Sequence, residues 1–385
     1  MSFKVKHFLD IPKEQWDKFV YSNSMGWAYY LYDVISIHRN SSYKNISFAI
    51  LNDKDEILFV IQLHLASRKR LISQWGFCLK DDLPPKQLKK LQKFFEDYID
   101  FYIKEHKIKS FEIAFPPLTK SNEPLAHNLI NPAMFFGFKP EIRYTYVVDL
   151  SKPDDRMLAD CEETTRQAIR KTEASGKYSI VESNGSEDDC KKYIKLHKET
   201  YTRTGAADSI IADSYHEHIF KKLIPSGRTK VFFLKDNATE EYIATVMILL
   251  YKNTAYYWWG CSKNEKDIGI NKYLLFKSIC TIRESFGKTG YFETGGAYPF
   301  LRSGKYKGLN DFKKCFGTFL HPIYKGTYLI EVKRKQINIL GIKIKHKSYV
   351  KPKEEFIYNS KAKYWTIVEG RSESNIHICK KDKTV

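Results

Sequence analysis

Lys313 stands in KGLNDFKKCFGTFLHP (307–322), directly after Phe312 and three residues before Phe316, with Gly308 and Gly317 outside them. A fixed cation stabilises negative charge developing on an oxygen, most effectively where water is excluded. Residue types alone predict something blander. The glycines argue against a helix interior. A tight turn would bury Phe312 and Phe316 and leave Lys313 and Lys314 in water.

Other cations have spacings suited to phosphate. Arg166 and Arg170 lie four apart, on one helix face, and could hold one phosphate together. The same face could instead pair with Glu162 and Glu163. Arg203 offers a guanidinium for bidentate phosphate contact, or is a surface arginine beside a helix C-terminus. Arg39 and Lys44 are phosphate candidates in the first half. Glu293, ending a strand, and Asp208 are alternative proton acceptors. His64, His197, His216 and His218 form no ligand constellation. The two histidines of HEH (216–218) face different sides of a helix, so no metal site is predicted.

These residues must be positioned by a mixed α+β chain. The pattern predicts a helix over 14–35 anchored by Trp16, Phe19 and Tyr29. A hairpin follows over 46–66 around NDKDE, then a strand over 71–76. Helical spacing of Leu88, Leu91, Phe94, Phe95, Tyr98 and Phe101 predicts a long amphipathic helix over 86–106. A strand over 110–117, a short helix over 124–136 stopped at Gly137, and a strand over 143–151 close the first half. The second half predicts a helix over 154–176 capped by Gly176, the strand YSIVES, and a helix over 188–205. A three-strand meander comes next (229–236, 242–251, 254–262), then a helix over 271–290 and the strand YFETGG (291–296). Meander, helix and further strands are the order of a GNAT (acyl-CoA N-acyltransferase)-like domain. Two in tandem are expected, over 1–150 and 151–330, the second carrying the catalytic site, with a basic extension over 331–385.

A chain of 385 residues with 43% hydrophobic and 15% aromatic content can bury two sizeable cores. The N-terminus has no apolar run behind its charges, and no apolar run is long enough to span a bilayer. Seven scattered cysteines without a CxxC pair predict reduced thiols and a cytoplasmic setting. The net charge of +19 favours polyanionic partners, namely nucleic acid, anionic lipid headgroups or phosphorylated substrates. A genome bias that enriches Lys with Ile, Asn and Tyr would also raise it. The extension has 14 Lys and Arg against 6 Asp and Glu. It is suited to phosphate contact, including peripheral contact with an anionic membrane, but has no aromatic interleaving for base stacking.

The run GFKPEIRYTYVVDLSKPDDRMLADCEETTRQAIRKTEASGKYSIVE (137–182) resembles the junction between the halves of FemAB/FemX-type aminoacyltransferases and their GNAT-like relatives. The matching positions are Gly137, Phe138, Thr145, Asp149, Leu150, Ser151, Arg166, Ile169, Arg170, Lys171 and Gly176. YTRTG (201–205), the aromatic strand YYWWGCS and the closing GLNDFKKCFG resemble further family elements in the same order. The resemblance extends to about residue 330.

It implies transfer of an acyl group, from aminoacyl-tRNA or an acyl-CoA, onto a primary amine. It implies that Lys313 meets the developing charge, with Phe312 and Phe316 as a dry wall and the flanking glycines admitting close backbone approach. Glu293 is the catalytic carboxylate of the candidate set. Arg203, Arg166, Arg170, Tyr257, Trp259 and Lys44 are its substrate-binding members. No tightly bound cofactor is expected. Acetyl-CoA enzymes of this fold usually carry Q/R-x-x-G-x-G/A before the helix that follows the aromatic strand. Here CSKNEKDIGIN (261–271) has one glycine, which tilts the donor towards aminoacyl-tRNA. The coiled-coil arm of some members is absent between 205 and 228. The favoured acceptor is a phosphorylated cell-envelope precursor such as the peptidoglycan stem peptide. Alternatives are an acyl-CoA-dependent N-acyltransferase on an amino sugar of surface polysaccharide, and a non-catalytic basic protein binding nucleic acid or a membrane face.

Overall fold

A computed structural model describes residues 2–37, 43–119, 131, 133, 138–206, 210–263, 269–301, 303–339, 342–350, 354–359, 364–369 and 372–375. The first stretch contains β1 (Phe3–His7), α1 (Lys13–Ser22), α2 (Tyr32–Ile35), β2 (Lys44–Asn45), β3 (Phe48–Asn52), β4 (Ile57–Ile61), β5 (His64–Ala66), β6 (Arg70–Ser73), β7 (Phe77–Leu79), α3 (Pro85–His106) and β8 (Ser110–Ala114). The single helix expected over 14–35 is broken. Asn23 ends α1 because its amide donates to the Phe19 carbonyl at 2.6 Å and its Oδ1 accepts from Asp81 N–H at 2.6 Å. A short amide side chain that bonds backbone competes with the helix ladder.

The hairpin of β3 and β4 forms as expected, both strands buried along their length. One sheet has the order β1-β3-β4-β7. The long helix α3 buries Leu91, Phe95, Ile99 and Ile103 at four-residue spacing, against a core that includes Phe48, Phe59 and Phe111. The helix expected over 124–136, and its stop at Gly137, lie outside the described residues apart from Asn131 and Ala133.

The second stretch contains β9 (Lys139–Asp149), α4 (Asp154–Asp160), α5 (Glu163–Ala174), β10 (Tyr178–Glu182), α6 (Glu187–Arg203), α7 (Asp213–His218), β11 (Thr229–Asp236), β12 (Tyr242–Tyr251), β13 (Thr254–Ser262), α8 (Ile270–Ser285), β14 (Tyr291–Glu293), α9 (Lys305–Lys314) and β15 (Phe319–Leu329). The helix expected over 154–176 is two helices, because Cys161 is extended (φ −63°, ψ 152°). Strands run in the order β10-β11-β12-β13-β14-β9. The meander is antiparallel. β13 and β14 are parallel, with α8 as the crossover such a pair needs. α5 and α8 pack with the sheet around a core that includes Ile169, Leu274, Ile279, Ile248, Phe292 and Phe316.

The basic extension has paired backbone. β16 (Glu331–Ile339) runs antiparallel to β17 (Ile342–Val350), and β18 (Glu354–Asn359), β19 (Tyr364–Glu369) and β20 (Ser372–Asn375) form a second antiparallel set.

The two compact units interleave in sequence, unlike the contiguous spans read from the pattern. One comprises Met1–Gly26, Ser42–Ile142 and Ile323–Val385; the other comprises Trp27–Ser41 and Arg143–Pro322. The return of the chain to the first unit is a backbone fact. Lys325 to Leu329 of β15 pair with Ala114 to Ser110 of β8. Asn131 also donates its amide to the Lys325 carbonyl at 2.8 Å.

Candidate active site

β13 and β14 begin side by side and then part. Thr254 pairs with Tyr291, Ala255 with Phe292 and Tyr256 with Glu293. β14 ends there while β13 continues to Ser262. Beyond Glu293 the chain turns towards β9. Thr294 N–H donates to the Tyr146 carbonyl at 2.9 Å, and Ala297 N–H donates to the Tyr144 carbonyl. Gly295 makes the turn at φ +75°, a conformation that side chains disfavour. The parallel pairing thus stops at the C-terminal end of β14, the end at which open sheets carrying parallel strands expose groups for chemistry.

α9 brings Lys313 to this opening. The tight turn expected here is a helix over Lys305–Lys314 with Gly308 inside it and Gly304 at its N-cap (φ +87°). The interior glycine costs about 1 kcal/mol relative to alanine. Asn310 and Lys313 on the buried face offset it through hydrogen bonds, Asn310 accepting from Tyr298 N–H and Lys313 donating to the Gly295 and Gly296 carbonyls. Lys313 does not stand in water. It is buried, and its Nζ donates to the Gly295 carbonyl at 2.7 Å and the Gly296 carbonyl at 3.0 Å. An ammonium has three N–H groups, so one remains for another acceptor. Burial lowers its pKa to about 8, against the opposing pull of Glu293.

Glu293 is buried in the same place. Burial pushes its carboxyl above the ordinary glutamate value. The Thr145 hydroxyl, the Lys313 charge and the Gly295 N–H act in the other direction. Thr145, itself fully buried, donates its hydroxyl to Glu293 Oε1. A buried carboxyl with a raised pKa is suited to accept a proton, and a buried cation nearby to stabilise an oxyanion.

The aromatic pair has a different place from the one expected. Phe312 and Phe316 meet edge to face at 5.4 Å, four residues apart across the end of α9, and join the hydrophobic core. The groups that meet the Lys313 ammonium are the Gly295 and Gly296 carbonyls, with the Glu293 carboxylate acting on its charge. The glycines also differ from expectation. Gly308 has no neighbour that a Cβ would meet. At Gly317 (φ +69°) a Cβ would come 2.7 Å from that of Asp160, so its close approach is to α4 and not to a substrate.

The remaining candidates separate. Arg203 is exposed, and its Nη2 donates to the Ser262 carbonyl at 3.0 Å, tying the end of α6 to the end of β13. Arg166 donates to the Ala159 and Cys161 carbonyls, satisfying the break between α4 and α5; this is a capping contact, distinct from pairing with Glu162 and Glu163. Arg170 is exposed on α5. Trp259 is buried, stacked on Trp258 at 4.6 Å and edge-to-face with Tyr215 and His216, so packing surrounds it. Tyr257 packs against the core, and a Cβ at Gly260 would lie 2.0 Å from its hydroxyl. Lys44 is exposed on β2 of the other unit. Arg39 and Asp208 lie outside the described residues.

Four contacts were not read from the sequence, the first being that of Thr145 with Glu293. Thr145 appeared only as a motif position, with no role. Trp27 and Tyr29 reach across the chain to Tyr256 (5.0 Å) and Trp258 (5.6 Å), and no local signal joins residues so far apart. His197 and His216, read only as forming no ligand constellation, lie 4.6 Å apart between ring centroids.

Residues 159–300 match the model of the acetyltransferase (GNAT) domain. Among solved structures, FemX is 17% identical with a TM-score of 0.62, over 83% of this chain and 96% of that one. The C-terminal domain of a putative lysylphosphatidylglycerol synthetase from Agrobacterium fabrum is 13% identical (TM-score 0.52; 82% and 90% covered). A tandem GNAT protein from the clavulanic acid biosynthesis pathway is 10% identical (TM-score 0.50; 85% and 98% covered). No curated protein sequence matches.

The chain has the FemX-type tandem GNAT fold. Fold and matched domain together support an acyltransferase. In this FemX-type fold Lys313 and Glu293 sit beside a parting parallel strand pair. Residues 264–268, in the segment ahead of α8 where a pyrophosphate loop would be sought, lie outside the described residues. Among the described residues no helix is long and apolar enough to cross a membrane. Nor does any group of three or more His, Cys, Asp or Glu among them have a geometry for a metal ion.

Proposed function

We propose that the chain transfers an aminoacyl group from aminoacyl-tRNA onto a primary amine of a cell-envelope precursor, as on a peptidoglycan stem peptide, in the cytoplasm. The observation that carries this reading is the buried Lys313 ammonium, held by two glycine carbonyls beside buried Glu293, with one N–H left to give. The acceptor ammonium loses a proton to Glu293. Its nitrogen lone pair attacks the ester carbonyl carbon, and the carbonyl oxygen takes the negative charge facing the Lys313 N–H. The C–N bond forms, the C–O bond to the tRNA ribose breaks, and the departing oxygen takes up the second proton that the attacking nitrogen sheds. Thr145 positions the Glu293 carboxylate by its hydrogen bond. The surface guanidinium groups of Arg203 and Arg170 would meet phosphates of the donor or of the acceptor's carrier.

The matched acetyltransferase domain favours a second reading, in which an acyl-CoA thioester is the donor, the C–S bond breaks, and the amine belongs to an amino sugar of a surface polysaccharide. The two separate in one experiment. Purified protein is incubated with labelled aminoacyl-tRNAs, acyl-CoAs and amine acceptors, and products are detected by mass. Amide formation from aminoacyl-tRNA is expected. Amide formation from acyl-CoA alone overturns the donor assignment, and no amide from either donor overturns the reading as a whole.

A further inference from the structure

An exposed apolar patch borders the candidate site, and the transfer chemistry does not use it. Phe300 is 81% exposed, and Tyr298, Leu301, Tyr306 and Leu309 are exposed as well. Single exposed apolar residues are ordinary; five between positions 298 and 309 are not. The patch is held in place. Tyr298 N–H donates to Asn310 Oδ1 at 2.8 Å, its ring lies 5.3 Å from Tyr306, and Phe300 lies edge-on to Tyr144 at 6.2 Å. Apart from the buried Lys313, residues 297–314 contain four Lys and Arg and one Asp, a formal charge of +3, with Lys307 paired to Asp311 at 2.5 Å.

We propose that this patch seats on an anionic lipid bilayer and presents the site to a membrane-borne amine. The proposal rests on the amine-acylation reading above and adds where the acceptor resides. Phenyl and phenol rings suit the boundary between headgroups and acyl chains, and interspersed lysines suit anionic phosphates. Leu301, Leu309 and a nearly naked Phe300 favour hydrocarbon over a nucleic acid, whose bases stack on aromatics but offer leucine little. A second copy of the same patch would bring +3 against +3. α9 links patch and chemistry. Tyr306, Asn310 and Lys313 share one face at i, i+4 and i+7, so Lys313 lies about 10 Å along the helix from Tyr306.

The test is co-sedimentation of the full chain with phosphatidylcholine vesicles, with and without phosphatidylglycerol. Wild type should bind the anionic vesicles at low salt at least tenfold better than the neutral ones. Phe300→Ser/Leu309→Ser should lose at least tenfold of that binding. Leu9→Ser/Phe101→Ser, which alters two apolar residues exposed elsewhere, should bind like wild type. Hydrogen exchange of the wild-type protein should show protection of 297–309 on anionic vesicles, a readout that needs no variant. Equal binding by both double variants, or no protection of that segment, overturns the proposal. So does protection of the segment by tRNA in place of vesicles, or by self-association. Transfer to a water-soluble amine should persist in Phe300→Ser/Leu309→Ser, so loss of docking and loss of the amide reaction are read separately.

Discussion

The Nζ of Lys313 lies 2.7 Å from the carbonyl oxygen of Gly295, across 18 positions of chain, and so joins the face of α9 to the turn that follows β14. Lys313→Met removes the ammonium and keeps most of the stem. Turnover should fall by about 10²-fold or more, as when a single oxyanion donor is lost. Stability should fall by only about 1–3 kcal/mol, from the two carbonyls left without a donor. Steady-state rates and chemical denaturation of both proteins check this; equal turnover with comparable unfolding rejects the role.

Glu293 and Lys313 set the expected pH dependence. The carboxyl works deprotonated, and burial has raised its pKa, so the acid limb of the rate profile should lie above the ordinary glutamate range. The ammonium works protonated, and its pKa is about 8, so activity should fall as pH rises through that value. As neighbours their apparent values belong to the pair. Glu293→Gln should flatten the acid limb and lower the maximum by about 10²-fold or more. Thr145→Val should shift the acid limb upward, because the hydroxyl's lowering effect on Glu293 is gone.

Gly295 and Gly317 should separate function from fold. Alanine at either position meets positive φ, worth about 1–3 kcal/mol. At Gly295 the new Cβ would also sit 3.2 Å from Lys313 Nζ, so Gly295→Ala should lose turnover beyond its loss of stability. At Gly317 the clash is with Asp160, so Gly317→Ala should melt earlier yet keep turnover per folded molecule. Melting curves and rates at a permissive temperature compare the two.

His197 and His216 predict acid lability. Burial lowers their pKa values from 6.5 to about 4 and about 3, with Asp213 opposing and Lys198 reinforcing the shift. Neither ring nitrogen of His216 has a hydrogen-bond partner among the described residues. Above pH 6.5 both are neutral in either state and nothing is lost. As pH falls from there towards the folded values, only the unfolded chain takes up protons. Stability should therefore drop by up to about 1.4 kcal/mol per pH unit for each histidine. Denaturation between pH 7 and 4 should show a shallower slope in His216→Leu.

Element types were legible wherever a period was strong. Leu88, Leu91, Phe94, Phe95, Tyr98 and Phe101 predicted α3 almost to the residue, although Phe101 is exposed, and the apolar run of β12 predicted a strand. The misreadings share one cause, tertiary contacts overriding local preference. Asn23 ends α1 for the sake of Asp81. Gly308 stays helical because Asn310 and Lys313, further along α9, are tied by hydrogen bonds to Tyr298, Gly295 and Gly296. The site was half legible. Lys313 and Glu293 followed from a resemblance and a strand end, but their enclosure by Gly295, Gly296 and Thr145 depends on backbone turns that no spacing encodes. Trp259 looked available and is spent on Trp258, Tyr215 and His216.

The late pairing of β15 with β8 has a consequence for biosynthesis. A ribosome that has just released Pro322 has delivered every residue of the unit holding Lys313, while β8 still waits with an edge unpaired. Completion therefore runs against the order of synthesis: the domain begun first is the one finished last.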